Sequence, residues 1–174
     1  ALVGPDNLAS LTSLDISGIP HIIANEVIAM DEDAAGGVRR KKDSTLVRSA
    51  EAVRDGAASA MISAGNTGAT MASALLRMGR IKGVNRPAIA TPIPVPGGRP
   101  TVLLDAGANA DVQAEWLTQF ALMGSIYSKN RYGVETPRVG LLSIGEEPGK
   151  GDSLRKEAFE LLSGASGFHF IGNV

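Results

Sequence analysis

The chain has 174 residues, 44% of them apolar but only 4% aromatic, so its core has to be built from Ala, Val, Ile, Leu and Met. Charged residues make up 20% and the formal net charge is −1, which leaves no overall field to favour nucleic acid or a membrane surface; recognition by charge has to be local. There are no cysteines, which excludes disulfides, thiolate metal sites and a cysteine nucleophile and fits a reducing cytosol.

No apolar run approaches the roughly 20 residues of a membrane span, and the opening residues lack the basic-then-apolar order of a secretory signal. The first residues, Ala1-Leu2-Val3-Gly4, and the last, Phe170-Ile171-Gly172-Asn173-Val174, read as strand edges, so the chain is expected to be a piece of something longer.

In chain order, short aliphatic runs alternate with stretches of helical period, the pattern of βαβ units and a largely parallel sheet covered on both faces. Strands are predicted over residues 19–24, 59–63, 88–92, 101–105, 138–144 and 168–172; most are near-continuously apolar, as buried parallel strands are. Ser44 can cap a helix with Leu46, Val47, Ala50 and Val53 on one stripe, ending near Asp55-Gly56. A second helix over 67–78 places Met71, Ala72, Leu75 and Leu76 on one side and stops at Gly79. The proline-rich segment 92–100 cannot continue a central ladder and reads as a hairpin tip. A third helix over 114–129 carries Leu117, Phe120, Ala121 and Gly124, and a fourth over 153–162 carries Leu154, Ala158, Leu161 and Leu162. The whole, 1–174, is expected to form a single α/β domain.

Ligands of open α/β sheets bind beyond the carboxyl ends of the strands, and three glycine-bearing polar loops are predicted there. The first is Ser63-Ala64-Gly65-Asn66-Thr67-Gly68-Ala69. Gly65 and Gly68 let backbone approach a ligand, Asn66 and Thr67 add donors, and the next helix presents unpaired N–H groups, a geometry suited to phosphate. A plain strand-to-helix turn with an Asn or Thr cap explains the same residues. The second is Asp105-Ala106-Gly107-Ala108-Asn109-Ala110-Asp111, where Asp105 can orient a donor, Asn109 can donate and Asp111 can cap the following helix; Asp and Asn are also ordinary turn residues. The third is Gly145-Glu146-Glu147-Pro148-Gly149-Lys150-Gly151, which can set a cation against an anion or be a solvated loop with a weak ion pair. It lacks the Gly-Lys-Ser/Thr ending of a nucleotide P-loop, so ATP is not indicated.

Arg39-Arg40-Lys41-Lys42 concentrates four cations, and Arg80, Lys82 and Arg86 follow the second helix. His21 and His169 fall in predicted strands and read as core or edge residues, and Trp116 and Phe120 as packing residues. No metal-ligand spacing stands out.

Taken together, these segments resemble those of the PlsX-type phosphate acyltransferases. The resemblance is carried by Arg39-Arg40-Lys41-Lys42, the Ser63–Ala69 loop with Ile62, Gly79-Arg80-Ile81-Lys82-Gly83, Arg86-Pro87-Ala88, Leu104-Asp105-Ala106-Gly107-Ala108-Asn109, Met123-Gly124-Ser125-Ile126-Tyr127-Ser128 and the run from Pro137 to Glu147. Order and spacing agree along almost the whole chain, which is far more specific than any one glycine loop. The resemblance implies a three-layer α/β/α sandwich with a mostly parallel central sheet, like that of the isocitrate and isopropylmalate dehydrogenases. It also implies a homodimeric, cytoplasmic enzyme, peripheral at the membrane surface, that makes acyl phosphate from acyl-acyl carrier protein and inorganic phosphate in bacterial phospholipid synthesis. No cofactor and no nucleic acid are implied. Family members are nearly twice as long; an amino-terminal Asp-Ala-Met-Gly-Gly-Asp motif and a carboxyl-terminal half are missing here.

Phosphate is already partly dianionic at neutral pH and a thiolate leaves readily, so such a site would work by positioning and by oxyanion stabilisation. The roles then expected are phosphate binding by Gly65, Asn66, Thr67, Gly68 and Lys42, and catalysis by Asn66, Asn109 and Lys150. Asp105 would support Asn109, Glu146 or Glu147 would orient Lys150, and Arg39, Arg40, Lys41, Arg80 and Lys82 would meet the acidic carrier protein. The alternatives are a phosphotransacylase acting on a coenzyme A thioester, a dehydrogenase of the related fold, and a non-catalytic carrier-binding fragment.

Overall fold

The structure is a computed structural model that describes residues 1–7 and 13–174. It divides into two compact units, Ala1–Lys82 and Gly83–Val174.

In the first unit, β1 (Leu2–Gly4) and β2 (His21–Ile23) pair in parallel, Leu2 opposite His21 and Gly4 opposite Ile23. Three helices follow: α1 (Ala34–Arg40), α2 (Thr45–Arg54) and α3 (Thr67–Arg77). Each begins where a short polar side chain takes up a backbone N–H that the first turn leaves without an acceptor. Asp33 accepts from Gly36, Ser44 from Val47 and Asn66 from Ala69. Ile28, Val38, Leu46, Val47 and Ala69 form the core between them. Gly37 is required by this packing, since a Cβ there would lie 2.9 Å from Cγ2 of Ile28.

The predicted cap at Ser44 is present, but α2 buries Leu46, Val47, Ala50 and Ala52, with Val53 only half-buried. The α3 stripe differs more. Its buried positions are Ala69 and Ser73, while Leu76 is exposed, because close approach to α1 and α2 favours small residues over the Leu/Met side. The strand predicted over 59–63 is irregular backbone, and Ile62 is exposed; an apolar run specifies a strand only when a ladder partner is beside it.

In the second unit, β3 (Thr91–Ile93) and β4 (Thr101–Leu103) form an antiparallel pair joined through residues 94–100. The strand expected over 88–92 begins only at Thr91, and Pro92, expected in the tip, lies in the ladder opposite Val102, as an edge strand allows. Next comes α4 (Ala114–Tyr132), ended by Gly133 at φ 62°, a left-handed residue that suits glycine. β5 (Arg138–Leu141) and β6 (His169–Asn173) pair in parallel across α5 (Ser153–Gly164). Ala114, Ala121, Leu141, Ala158 and Leu162 make the core, flanked by an edge-on Phe159–Phe170 pair with ring centroids 5.3 Å apart. Leu161, expected on the buried stripe, is exposed.

The fold class is α/β, with two parallel two-stranded ladders and one antiparallel ladder among the described residues. His21 and His169 lie in strands as expected, and the His21 ring sits 3.2 Å from the Gly4 carbonyl. No described helix is long and apolar enough to cross a membrane.

Candidate functional site

The first loop enters α3 at Asn66. Its Oδ1 accepts from the Ala69 N–H at 2.9 Å. Its Nδ2 points at three carbonyls, those of Ala29 (3.0 Å), Met30 (3.3 Å) and Glu32 (3.3 Å). The side chain is therefore buried and fully engaged, tying the 29–32 segment to the start of α3. What remains for a ligand is backbone: the N–H groups of Thr67 and Gly68 sit in the first turn, where a helix supplies no acceptor. Thr67 is exposed and Gly68 half-buried, and the dipole of α3 gives this end a partial positive charge.

The four-cation run is split. Arg39 and Arg40 close α1, where cations meet the negative end of the helix dipole. Glu32 takes two of the four: Lys41 Nζ at 2.6 Å and Arg40 Nη2 at 3.3 Å, while Lys41 also donates to the Val27 carbonyl. Hydrogen bonding from Lys41 is the largest influence on Glu32 and holds its carboxyl below the ordinary range, against the opposing cost of desolvation. Arg39 and Lys42 are exposed and form no ion pair among the described residues. Lys82 is likewise exposed and unpaired among them, while Arg80, also exposed, is engaged.

The second loop is closed on itself. Asp105 Oδ1 accepts from the N–H of Ile89 (2.8 Å) and of Ala108 (3.1 Å), and Oδ2 from the N–H (2.9 Å) and Nδ2 (3.0 Å) of Asn109. Asn109 Nδ2 also donates to the Pro87 carbonyl at 2.9 Å. Partial burial pushes the Asp105 carboxyl up, but the four donors outweigh it and the net shift is downward, so the group is a carboxylate. Both amide hydrogens of Asn109 are committed, so the side chain organises the loop. Asp111 does not cap α4; the N-cap is Gln113, with no side-chain bond, because two further residues separate Asp111 from the first turn.

The third loop is open. Residues 146–150 are all exposed, held by a turn from Glu147 O to Lys150 N (3.0 Å) and by Asn173 Nδ2 donating to the Glu147 carbonyl (2.8 Å). Neither Glu146 nor Glu147 pairs with Lys150, so the expected ion pair is not formed; flexible side chains on exposed backbone gain too little from it.

Glu32 and Trp116 are organising residues that the reading of loops and glycines passed over. A signal for the first was present, since Asp31-Glu32-Asp33 stands just ahead of the cation run. Trp116 is half-buried and carries the Arg86 guanidinium over its ring at 4.9 Å, a task beyond packing.

A family model described as "Fatty acid synthesis protein" matches residues 8–174, nearly the whole chain and all three loops. The chain belongs to this fatty acid synthesis protein family. Among curated relatives, it is 52% identical over 169 residues to the phosphate acyltransferase of Elusimicrobium minutum, covering 97% of this chain and 49% of that one. It is 47% identical over 173 residues to that of an Exiguobacterium species (99% and 52%), and 50% identical over 164 residues to that of Streptococcus thermophilus (94% and 48%). The chain thus spans about half the length of the relatives it matches. The expected kinship with phosphate acyltransferases is therefore established at the level of family.

Proposed function

We propose that the whole protein is a phosphate acyltransferase, forming acyl phosphate from acyl-acyl carrier protein and inorganic phosphate in phospholipid synthesis. The names of the relatives support the reaction class. The observation that carries the role of this chain is the start of α3, where Asn66 is locked as cap and the N–H groups of Thr67 and Gly68 stay open to an anion.

In this reading the first unit supplies the phosphate position. Gly65 and Gly68 let backbone approach, the N–H groups of Thr67 and Gly68 and the Thr67 hydroxyl donate, and Lys42 adds charge. Asn66 acts through the backbone it fixes. Within the second unit, taken by itself, Asp105 holds Asn109 in an organised turn and Lys150 is an exposed cation. Arg39 and Lys82 are available to an acidic carrier, whereas Arg40 and Lys41 reach one only by sharing Glu32. A homodimer and peripheral contact with the membrane complete the proposal, with the enzyme in the cytoplasm.

The decisive variant is Thr67→Pro in the full-length protein. Proline is at home in the first position of a helix and removes one N–H there without breaking the ladder. Asn66 already has ψ 111°, close to the extended backbone a following proline demands. The KM for phosphate should rise about tenfold, equivalent to about 1.4 kcal/mol of lost binding, with a smaller rise for Thr67→Ala. An unchanged phosphate KM in Thr67→Pro rejects this loop as the phosphate site. Turnover with coenzyme A thioesters as fast as with the carrier-protein thioester would favour a phosphotransacylase instead.

A further inference from the structure

Several cations of the described chain are satisfied by carboxylates: Glu32 holds Arg40 and Lys41, Glu51 lies between Arg48 and Arg54, and Asp152 binds Arg155 at 2.8 Å. Arg86 is organised differently. Its guanidinium lies over the Trp116 ring at 4.9 Å and has no ion pair or hydrogen bond among the described residues.

The backbone on both sides of Arg86 is fixed. Asn85 N–H donates to Gln119 Oε1 at 2.9 Å, and Gln119 Nε2 returns to the Gly83 carbonyl at 3.1 Å. On the other side the Pro87 carbonyl takes Asn109 Nδ2, and Ile89 N–H is bound by Asp105. An exposed arginine ordinarily loses side-chain freedom when it binds. Here the chain on each side is pinned and the guanidinium carbon is held over the Trp116 ring at 4.9 Å. A guanidinium in such a cation–π contact keeps its N–H donors, and a fork of them matches two oxygens of a tetrahedral oxyanion.

We infer that Arg86, stacked on Trp116 beside the Asp105–Asn109 turn, is a preorganised receptor for a phosphate oxyanion. The anion is either inorganic phosphate or the phosphodiester of a carrier's prosthetic arm. Only the choice between these sources rests on the acyltransferase reading; the binding itself does not. Asp105 and Asn109 then acquire a purpose that their own closed bonding does not give them: they are positioning residues that fix Pro87 and so the root of Arg86.

Trp116 is the only tryptophan in the chain, so the receptor carries its own reporter. Inorganic phosphate and dimethyl phosphate are titrated into the chain at constant ionic strength, against chloride, while Trp116 emission is followed. A saturable response to either phosphate is expected, and the one with the lower half-saturation identifies the source. Arg86→Ala should abolish the response and Arg86→Lys should raise the half-saturation at least tenfold, since an ammonium neither stacks flat nor donates as a fork. Arg131→Ala, which removes the arginine over Tyr132, should change nothing. No response beyond that of chloride, or an undiminished response in Arg86→Ala with native circular dichroism, overturns the inference. Phosphate KM unchanged in Thr67→Pro alongside an intact Trp116 response would reject the α3 reading alone.

Discussion

The loop at Asn66 and the loop at Gly145 look alike in sequence, each glycine-rich, polar and leading toward a helix, yet they are built in opposite ways. In the first, Asn66 is 9% exposed and one amide group reaches four backbone partners. In the third, the charged side chains face solvent and the loop is held by its backbone and by Asn173 from β6. The Asp105 loop sides with the first. A polar side chain in a glycine-rich loop can thus be the fastener of that loop rather than its reagent. What a fastened loop offers a ligand is the backbone it has fixed, and what an open loop offers is mobile charge.

The contrast is broken most severely at Asp105. Asp105→Ala leaves four donors without their acceptor and should cost about 2–4 kcal/mol in chemical denaturation. The same residue gives a pH signature. Its folded pKa is depressed, so the folded state holds fewer protons than the unfolded one in acid. Its contribution is fully present above about pH 4, where the unfolded carboxyl also ionises, and is lost as pH falls through the folded value. Asp105→Asn should flatten that part of the stability curve; an acid limb as steep as wild type would show that the carboxylate is not the fastener. Asn66→Ala comes next, with about 1–3 kcal/mol lost through the cap and the ties to 29–32. Asn66→Asp keeps the cap oxygen but sets a carboxylate oxygen against the carbonyls of Ala29, Met30 and Glu32, so it should lose at least as much as Asn66→Ala; an Asp variant as stable as wild type would show that the ties to 29–32 contribute nothing. Lys150→Ala is the smallest, within about 0.5 kcal/mol of wild type in stability. A larger loss would put Lys150 among the fasteners and end the contrast.

Much of this was legible from residues alone. Ser44 reads as a cap, the proline-rich segment as a turn and the aliphatic–helical alternation as α/β, because each depends on neighbours a few positions away. The second and third loops follow β4 and β5 as expected, whereas the loop at Asn66 follows irregular backbone in place of the expected strand. The misreadings share a cause as well: Leu76 and Leu161 are apolar at helical spacing yet exposed, and the apolar Ala60-Met61-Ile62, flanked by Ser59 and Ser63, finds no ladder partner among the described residues.

The sequence by itself determined where α2, α3, α4 and α5 begin, though not α1, which loops are rich in glycine and polar groups, and the family to which the chain belongs. Only the tertiary structure decided how those polar groups are used. Asn66 meets carbonyls 34 to 37 residues away, Arg40 and Lys41 find Glu32, and Arg86 finds Trp116. A donor does not carry its partner's address in its own neighbourhood; packing brings the two together, and burial then makes leaving either one unsatisfied too costly.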